Sequence, residues 1–174
     1  MSQRIIITGT ESTGKTELAI NLSEHYKALY VPDCSRSYIS KLNRKYNRAD
    51  IISIAEEIIE AEKKVMQSTL QFFFSDNCLI NIKIWLQYYN WEIPDWLNTE
   101  IVKRKTDLHL LCDIDIDWIP DQQRKNPHDR KELFERFKEE LSVFGANYKI
   151  VSGVNDTRAA HAIQIINSYL STSK

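Results

Sequence analysis

An α/β fold is predicted, a five-stranded parallel sheet covered by helices on both faces in a three-layer α/β/α sandwich. Two observations carry this. Five short apolar runs (residues 4–8, 28–31, 71–74, 108–113 and 148–151) alternate with segments of helical periodicity, the pattern of a parallel sheet with helical crossovers. The first run also passes straight into a glycine-bounded loop and then a helix.

The elements follow in order. Residues 4–8 are rich in isoleucine, a β-branched type suited to strands. Residues 15–26 place Leu18, Ala19 and Leu22 on one helical face. Pro32 ends the short second strand, and residues 35–46 look helical up to a break near Asn47. Residues 50–70 carry Ile51, Ile54, Ile58, Ala61, Val65 and Met66, one stripe of a long helix. An aromatic strand closes at Asp76. Residues 78–89 and 95–104 suit two further helices, and residues 108–113 a fourth strand. Residues 117–127 hold two prolines and lack apolar periodicity, so a surface loop is expected. Residues 129–144 form an amphipathic helix on Leu133, Phe134, Phe137 and Leu141, and residues 156–170 close the chain as a helix after the fifth strand.

Length and composition bound the function. With 174 residues, 43% hydrophobic and 27% charged, the chain suits one globular domain spanning residues 1–174. The net charge is −1 without a basic block, so a nucleic-acid partner is not expected. No run approaches the ~20 apolar residues of a membrane helix. Cys34, Cys78 and Cys112 are odd in number and widely spaced, which reads as reduced thiols of a cytoplasmic protein.

The chemistry is concentrated in Gly9-Thr10-Glu11-Ser12-Thr13-Gly14-Lys15-Thr16, a full match to G-x-x-x-x-G-K-[ST], the phosphate-binding P-loop. Glycines let the backbone curl so that its N–H groups face phosphate oxygens, and the next helix adds its positive end. Lys15 is expected to reach the β- and γ-phosphates of ATP, and the Thr16 hydroxyl to ligate Mg²⁺. The aspartate closing Phe72-Phe73-Phe74-Ser75-Asp76 either joins that metal site or caps the following helix.

Several segments together resemble the ribosylnicotinamide kinase domain of NadR-type proteins, among the P-loop nucleoside kinases. They are the P-loop with Glu11 and Ser12, Val31-Pro32-Asp33-Cys34-Ser35-Arg36-Ser37-Tyr38, Phe74-Ser75-Asp76, Lys83-Ile84-Trp85, and residues 110–118 with Asp113, Asp115, Asp117 and Trp118. Residues 122–130 resemble an arginine-bearing lid, and Gly153, Thr157 and Arg158 fit the nucleotide-side segment before the last helix. The chain departs from the family at Asp33 (usually Glu), at Ser35 (usually Ala), at Ile114 and Asp117 (usually Pro), and at Gln122-Gln123.

The resemblance implies ATP-dependent phosphorylation of a small nucleoside, ribosylnicotinamide in that family, with a lid at residues 117–130. It implies catalytic roles for Lys15, Asp33, Arg124 and Arg130. The acceptor would meet Asp33, Arg36, Trp85, Tyr88, Asp115 and Trp118. Each has a plainer reading: Asp33 as a turn residue, Arg36 in a surface ion pair, Trp85 in the core, Asp115 as a loop carboxylate. The alternative function is a regulatory NTPase that switches a partner-binding surface. A homo-oligomer is compatible with either.

Overall fold

The computed structural model describes residues 3–68, 70–104, 107–119 and 128–172. In chain order the elements are β1 (Gln3–Thr8), α1 (Lys15–Tyr26), β2 (Leu29–Val31), α2 (Ser35–Ser40), α3 (Arg48–Met66), β3 (Phe72–Asp76), α4 (Leu79–Tyr88), α5 (Asp95–Val102), β4 (Leu108–Cys112), α6 (Arg130–Val143), β5 (Tyr148–Val151) and α7 (Asn155–Thr172). The strands form one parallel sheet in the order β2-β3-β1-β4-β5. The predicted five-stranded α/β architecture is therefore present.

The strand period of two sorts side chains into two layers. Ile5, Ile7, Phe72, Phe74, Leu108, Leu110 and Val151 pack against Leu18, Ala19 and Leu22 of α1 and Ala162 and Ile166 of α7. Ile6 and Leu111 face the other way, onto α3, α4, α5 and α6. Because both faces of β1 are covered, its three consecutive isoleucines, Ile5, Ile6 and Ile7, have no exposed area.

Several helix boundaries differ from those expected, α3 ending at Met66 and α5 at Val102, and the junction of α2 and α3 has an identifiable cause. The helix expected over residues 35–46 stops at Ser40, and α3 begins at Arg48 rather than Asp50. The cause is local capping. The Asn47 side chain accepts from the Asp50 N–H, and the Asp50 carboxylate accepts from the Asn47 N–H, a reciprocal capping box. Arg44 adds a two-pronged ion pair to Asp50 at 2.6 and 2.8 Å. That guanidinium, with help from the Asn47 N–H, holds the Asp50 carboxyl at about 2. Residues 44–47 are thus committed to starting α3 and cannot continue α2.

On the α3 side of the sheet lies a buried charge network. Glu62, 1% exposed, receives Arg104 at 3.0 Å and Arg4 at 3.3 Å, while its other oxygen accepts from Ser75 at 3.1 Å. Arg4 also pairs with Asp107 at 2.7 Å. His109, beside it on β4, meets the Asp107 carbonyl through Nδ1 at 3.0 Å. A carbonyl only accepts, so Nδ1 carries the proton. Cys78 and Cys112 are buried free thiols, and burial pushes Cys112 up to about 11. Among the described residues, no helix is long and apolar enough to cross a membrane.

Two outcomes follow from this network. Glu62→Ala leaves the buried Arg104 and the partly buried Arg4 guanidinium short of counter-charge and is expected to destabilise the fold by about 3–5 kcal/mol, read as a lower denaturant midpoint at unchanged slope. Burial lowers the His109 pKa from 6.5 to about 4. The unfolded chain therefore binds a proton that the native chain does not once pH falls below 6.5. Stability from this residue is complete above that value and is lost as pH drops toward 4, by on the order of 3 kcal/mol. His109→Gln should flatten that part of a stability–pH profile.

Candidate active site

β1 is the central strand, and the loop leaving it carries the P-loop residues to the carboxyl edge of the sheet. Gly9 sits at φ +138, and a Cβ there would stand 3.0 Å from the Cys112 carbonyl, so only glycine brings β1 this close to β4. Ser12 also holds positive φ, at 57°. Gly14 is the N-cap of α1 and supplies no capping side chain, which leaves the first N–H groups of that helix available to an anion.

Lys15 lies back on its own loop, donating to the Thr10 carbonyl at 2.6 Å. Burial pushes its ammonium below the usual range, against the pull of the Asp76 and Asp33 carboxylates. Asp76 ends β3 on the α1 side. Its Oδ2 accepts from Thr16 at 2.6 Å and from Tyr30 at 3.3 Å. Its Oδ1 is buried without a hydrogen-bond partner. Burial raises this carboxyl, with the Thr16 hydroxyl and Lys15 opposing. A hydroxyl and a carboxylate with one uncommitted buried oxygen are hard donors of the kind Mg²⁺ takes alongside phosphates and water, so the expected pair, Thr16 and Asp76, fits the ion.

A cavity of about 1310 Å³ opens from the phosphate loop. It is lined by all eight residues from Gly9 to Thr16, by Asp33 and Arg36, and by Tyr46, Trp85, Tyr88, Tyr89 and Trp91. Asp33 has the turn role and also borders the cavity. Its Oδ1 accepts from the Ser35 N–H at 2.9 Å, fixing the turn into α2, while the residue lines the cavity and acts electrostatically on Lys15 and Asp76. Trp85 lies edge-on to Tyr46 at 5.1 Å, Tyr46 bonds Tyr89 through their hydroxyls at 2.7 Å, and Tyr89 stacks on Trp91 at 4.8 Å. Tyr88 donates to Asp129 at the start of α6 at 3.0 Å.

Other expected site residues lie elsewhere. Asp115 and Trp118 are not among the cavity-lining residues. Asp115 accepts from the Gly153 N–H at 2.5 Å and pairs with Arg158, so its carboxylate is engaged on the β5 side rather than with an acceptor. The Trp118 ring lies 5.8 Å from the Arg130 guanidinium. Arg130 donates to the carbonyls of Ser12 at 3.2 Å and Ile116 at 2.9 Å, holding the stem of the expected lid onto the phosphate loop. Thr157 closes the turn before α7, donating to the Val154 carbonyl and accepting from the Val154 N–H. Arg124 and the central part of the expected lid lie outside the described residues.

The sequence reasoning missed Tyr46, Tyr89, Trp91 and Asn81. Asn81 accepts from Thr8 at 2.5 Å and donates to the Gly9 carbonyl at 3.4 Å, bracing the start of the loop. Beyond Trp85 and Tyr88, the signal for Tyr89 and Trp91 is the density of aromatic residues across positions 85–91.

Comparison with known proteins agrees with this architecture. No curated protein matches the chain. Among solved structures, a NadR protein in complex with NR aligns at a TM-score of 0.83 and 23% identity, covering 97% of this chain and 51% of that one. A NadR protein in complex with NAD and AMP-PNP aligns at 0.78 and 22%, covering 97% and 49%. The thymidylate kinase of Ehrlichia chaffeensis aligns at 0.69 and 13%, covering 97% and 98%. The chain thus spans about half the length of the NadR chains, and at these identities the likeness is one of fold. A family model described as AAA domain matches residues 4–158, from the first strand through the P-loop to Arg158, and the chain belongs to that AAA-domain family.

Proposed function

We propose that this protein is a P-loop phosphotransferase that moves the γ-phosphoryl group of ATP to a hydroxyl of a small nucleoside, with ribosylnicotinamide the first acceptor to test. The observation that carries the reading is the continuity of one cavity from the phosphate loop to an aromatic wall, with Asp33 among its lining residues. A hydrolytic switch needs no second compartment of this kind. A kinase does, because donor and acceptor must be held in contact.

The steps assigned to this chain's residues are as follows. The N–H groups of residues 9–16 and the Lys15 ammonium hold the triphosphate. Mg²⁺, kept by Thr16 and Asp76, would neutralise phosphate charge when bound. The flat acceptor base enters against Tyr46, Trp85 and Tyr88, where aromatic faces suit a planar cation, and Arg36 lies in the same cavity to meet its polar groups. The acceptor oxygen bonds to the γ-phosphorus as the bond from that phosphorus to the β–γ bridging oxygen breaks. ADP leaves, and the hydroxyl proton passes to Asp33. The NadR chains support the choice of acceptor: one was solved with NR and one with AMP-PNP.

The first experiment is a coupled ADP-release assay with ATP·Mg²⁺ and a nucleoside panel that includes ribosylnicotinamide. Nucleoside-dependent turnover with appearance of the 5′-phosphate is expected; turnover indifferent to every nucleoside would overturn the kinase reading. Lys15→Ala is expected to cut transfer by at least about 10²-fold, the usual effect of removing one donor to developing charge. Asp33→Asn is expected to lose about 10²–10⁴-fold in transfer while ATP affinity stays near wild type. Near-normal transfer in that variant would take Asp33 out of the mechanism.

A further inference from the structure

Arg158, expected to touch nucleotide, lines the cavity beside the phosphate loop, and its hydrogen bonds give it a further part. The residue is 3% exposed, and its guanidinium serves four acceptors from three loops. Nε donates to the Gly153 carbonyl at 2.7 Å, Nη1 to the Thr13 carbonyl at 2.6 Å, and Nη2 to the Asp113 carbonyl at 3.3 Å and to Asp115. A guanidinium has five N–H donors in a rigid plane. Four are spent on the protein, so little remains for a ligand.

The acceptors explain what the group is for. Thr13 lies in the loop after β1, Asp113 and Asp115 follow β4, and Gly153 follows β5. We infer that Arg158 is a positioning residue, a buried cross-tie that fixes the phosphate-loop peptide between Thr13 and Gly14 relative to the turn at Gly153. A trans peptide holds its C=O and N–H in opposite directions. Pinning the Thr13 carbonyl on Arg158 therefore aims the Gly14 N–H away from it and stops that peptide from rotating. The other end of the tie is equally set. Gly153 is held at φ +105, with its carbonyl on Arg158 and its N–H on Asp115, and a Cβ there would stand 2.8 Å from the Thr157 hydroxyl. Among the described residues, the Arg158 guanidinium bonds both anchors. The inference rests on the reading that residues 9–16 hold a triphosphate.

The test compares ATP with inorganic tripolyphosphate, which carries the phosphates and no base, by calorimetric titration of wild type and Arg158→Ala. A positioning role requires both affinities to fall together, by about tenfold or more, the worth of charged hydrogen bonds to one group. Added guanidinium ion should restore both, and Arg158→Lys should not, because one ammonium cannot span four acceptors. If ATP affinity falls while tripolyphosphate affinity is unchanged, Arg158 is a ligand of the base or ribose and the inference is overturned. Should Arg158→Ala fail to fold, Asp115→Asn replaces it. A parallel but smaller loss then supports the tie, and wild-type affinity for both probes overturns it. All these readouts are of binding, so a chain that binds both probes yet transfers to no nucleoside loses the kinase reading alone. A wild-type chain that binds neither loses the P-loop reading, and the inference with it.

Discussion

The pairing of Ile7 with Asp76 across β1 and β3 sets where the chemistry of this protein takes place. In that register Asp76 shares the α1 face of the sheet with Phe72 and Phe74, and the first turn of α1 delivers Thr16 to within 2.6 Å of it. A slip of one residue would turn the carboxylate to the opposite face and put Ser75 in its place. The alternation of buried residues on both sides forbids that slip, since every phenylalanine in β3 would exchange layers. The hydrophobic core and the proposed metal site are thus specified by one register.

A second constraint is how charge is distributed about the sheet. On the α3 face, Glu62, Arg4, Arg104 and Asp107 compensate one another within the protein. At the carboxyl edge compensation is incomplete: burial holds Lys15 low and Asp76 high, and one Asp76 oxygen has no partner. Satisfied buried charge serves the fold, whereas unsatisfied buried charge marks where a ligand is to supply the remainder.

The P-loop and Asp76 were legible because their chemistry is local: eight consecutive residues, and a carboxylate at the end of an apolar run. The five-stranded parallel sheet followed from the alternation of strands with helices, whereas the strand order, with β3 lying between β2 and β1, is set by long-range pairing. The aromatic wall was not legible to the same degree. Tyr46 was absorbed into an expected helix, and only the capping of α3 by Asn47 and Asp50 frees it to meet Trp85. Arg158 shows the limit most clearly. The family resemblance implied contact with nucleotide but not its partner Thr13, which is 145 positions away, and no local pattern encodes that meeting. The contacts of Asp115 with Arg158 and of Trp118 with Arg130 were hidden for the same reason, since those partners come from other elements.

The segment between α2 and α3 is secured by its own short-range bonds, from Arg44 to Asp50 and between Asn47 and Asp50. It contributes Asn43, Lys45 and Tyr46 to the cavity while making no bond to the phosphate loop in that capping set. The start of α3 and the cavity-lining residues just before it are therefore fixed by one local set of bonds. Side chains at 43, 45 and 46 can thus vary, and with them the shape of that end of the cavity, while α3 keeps its starting point, provided Arg44, Asn47 and Asp50 are retained.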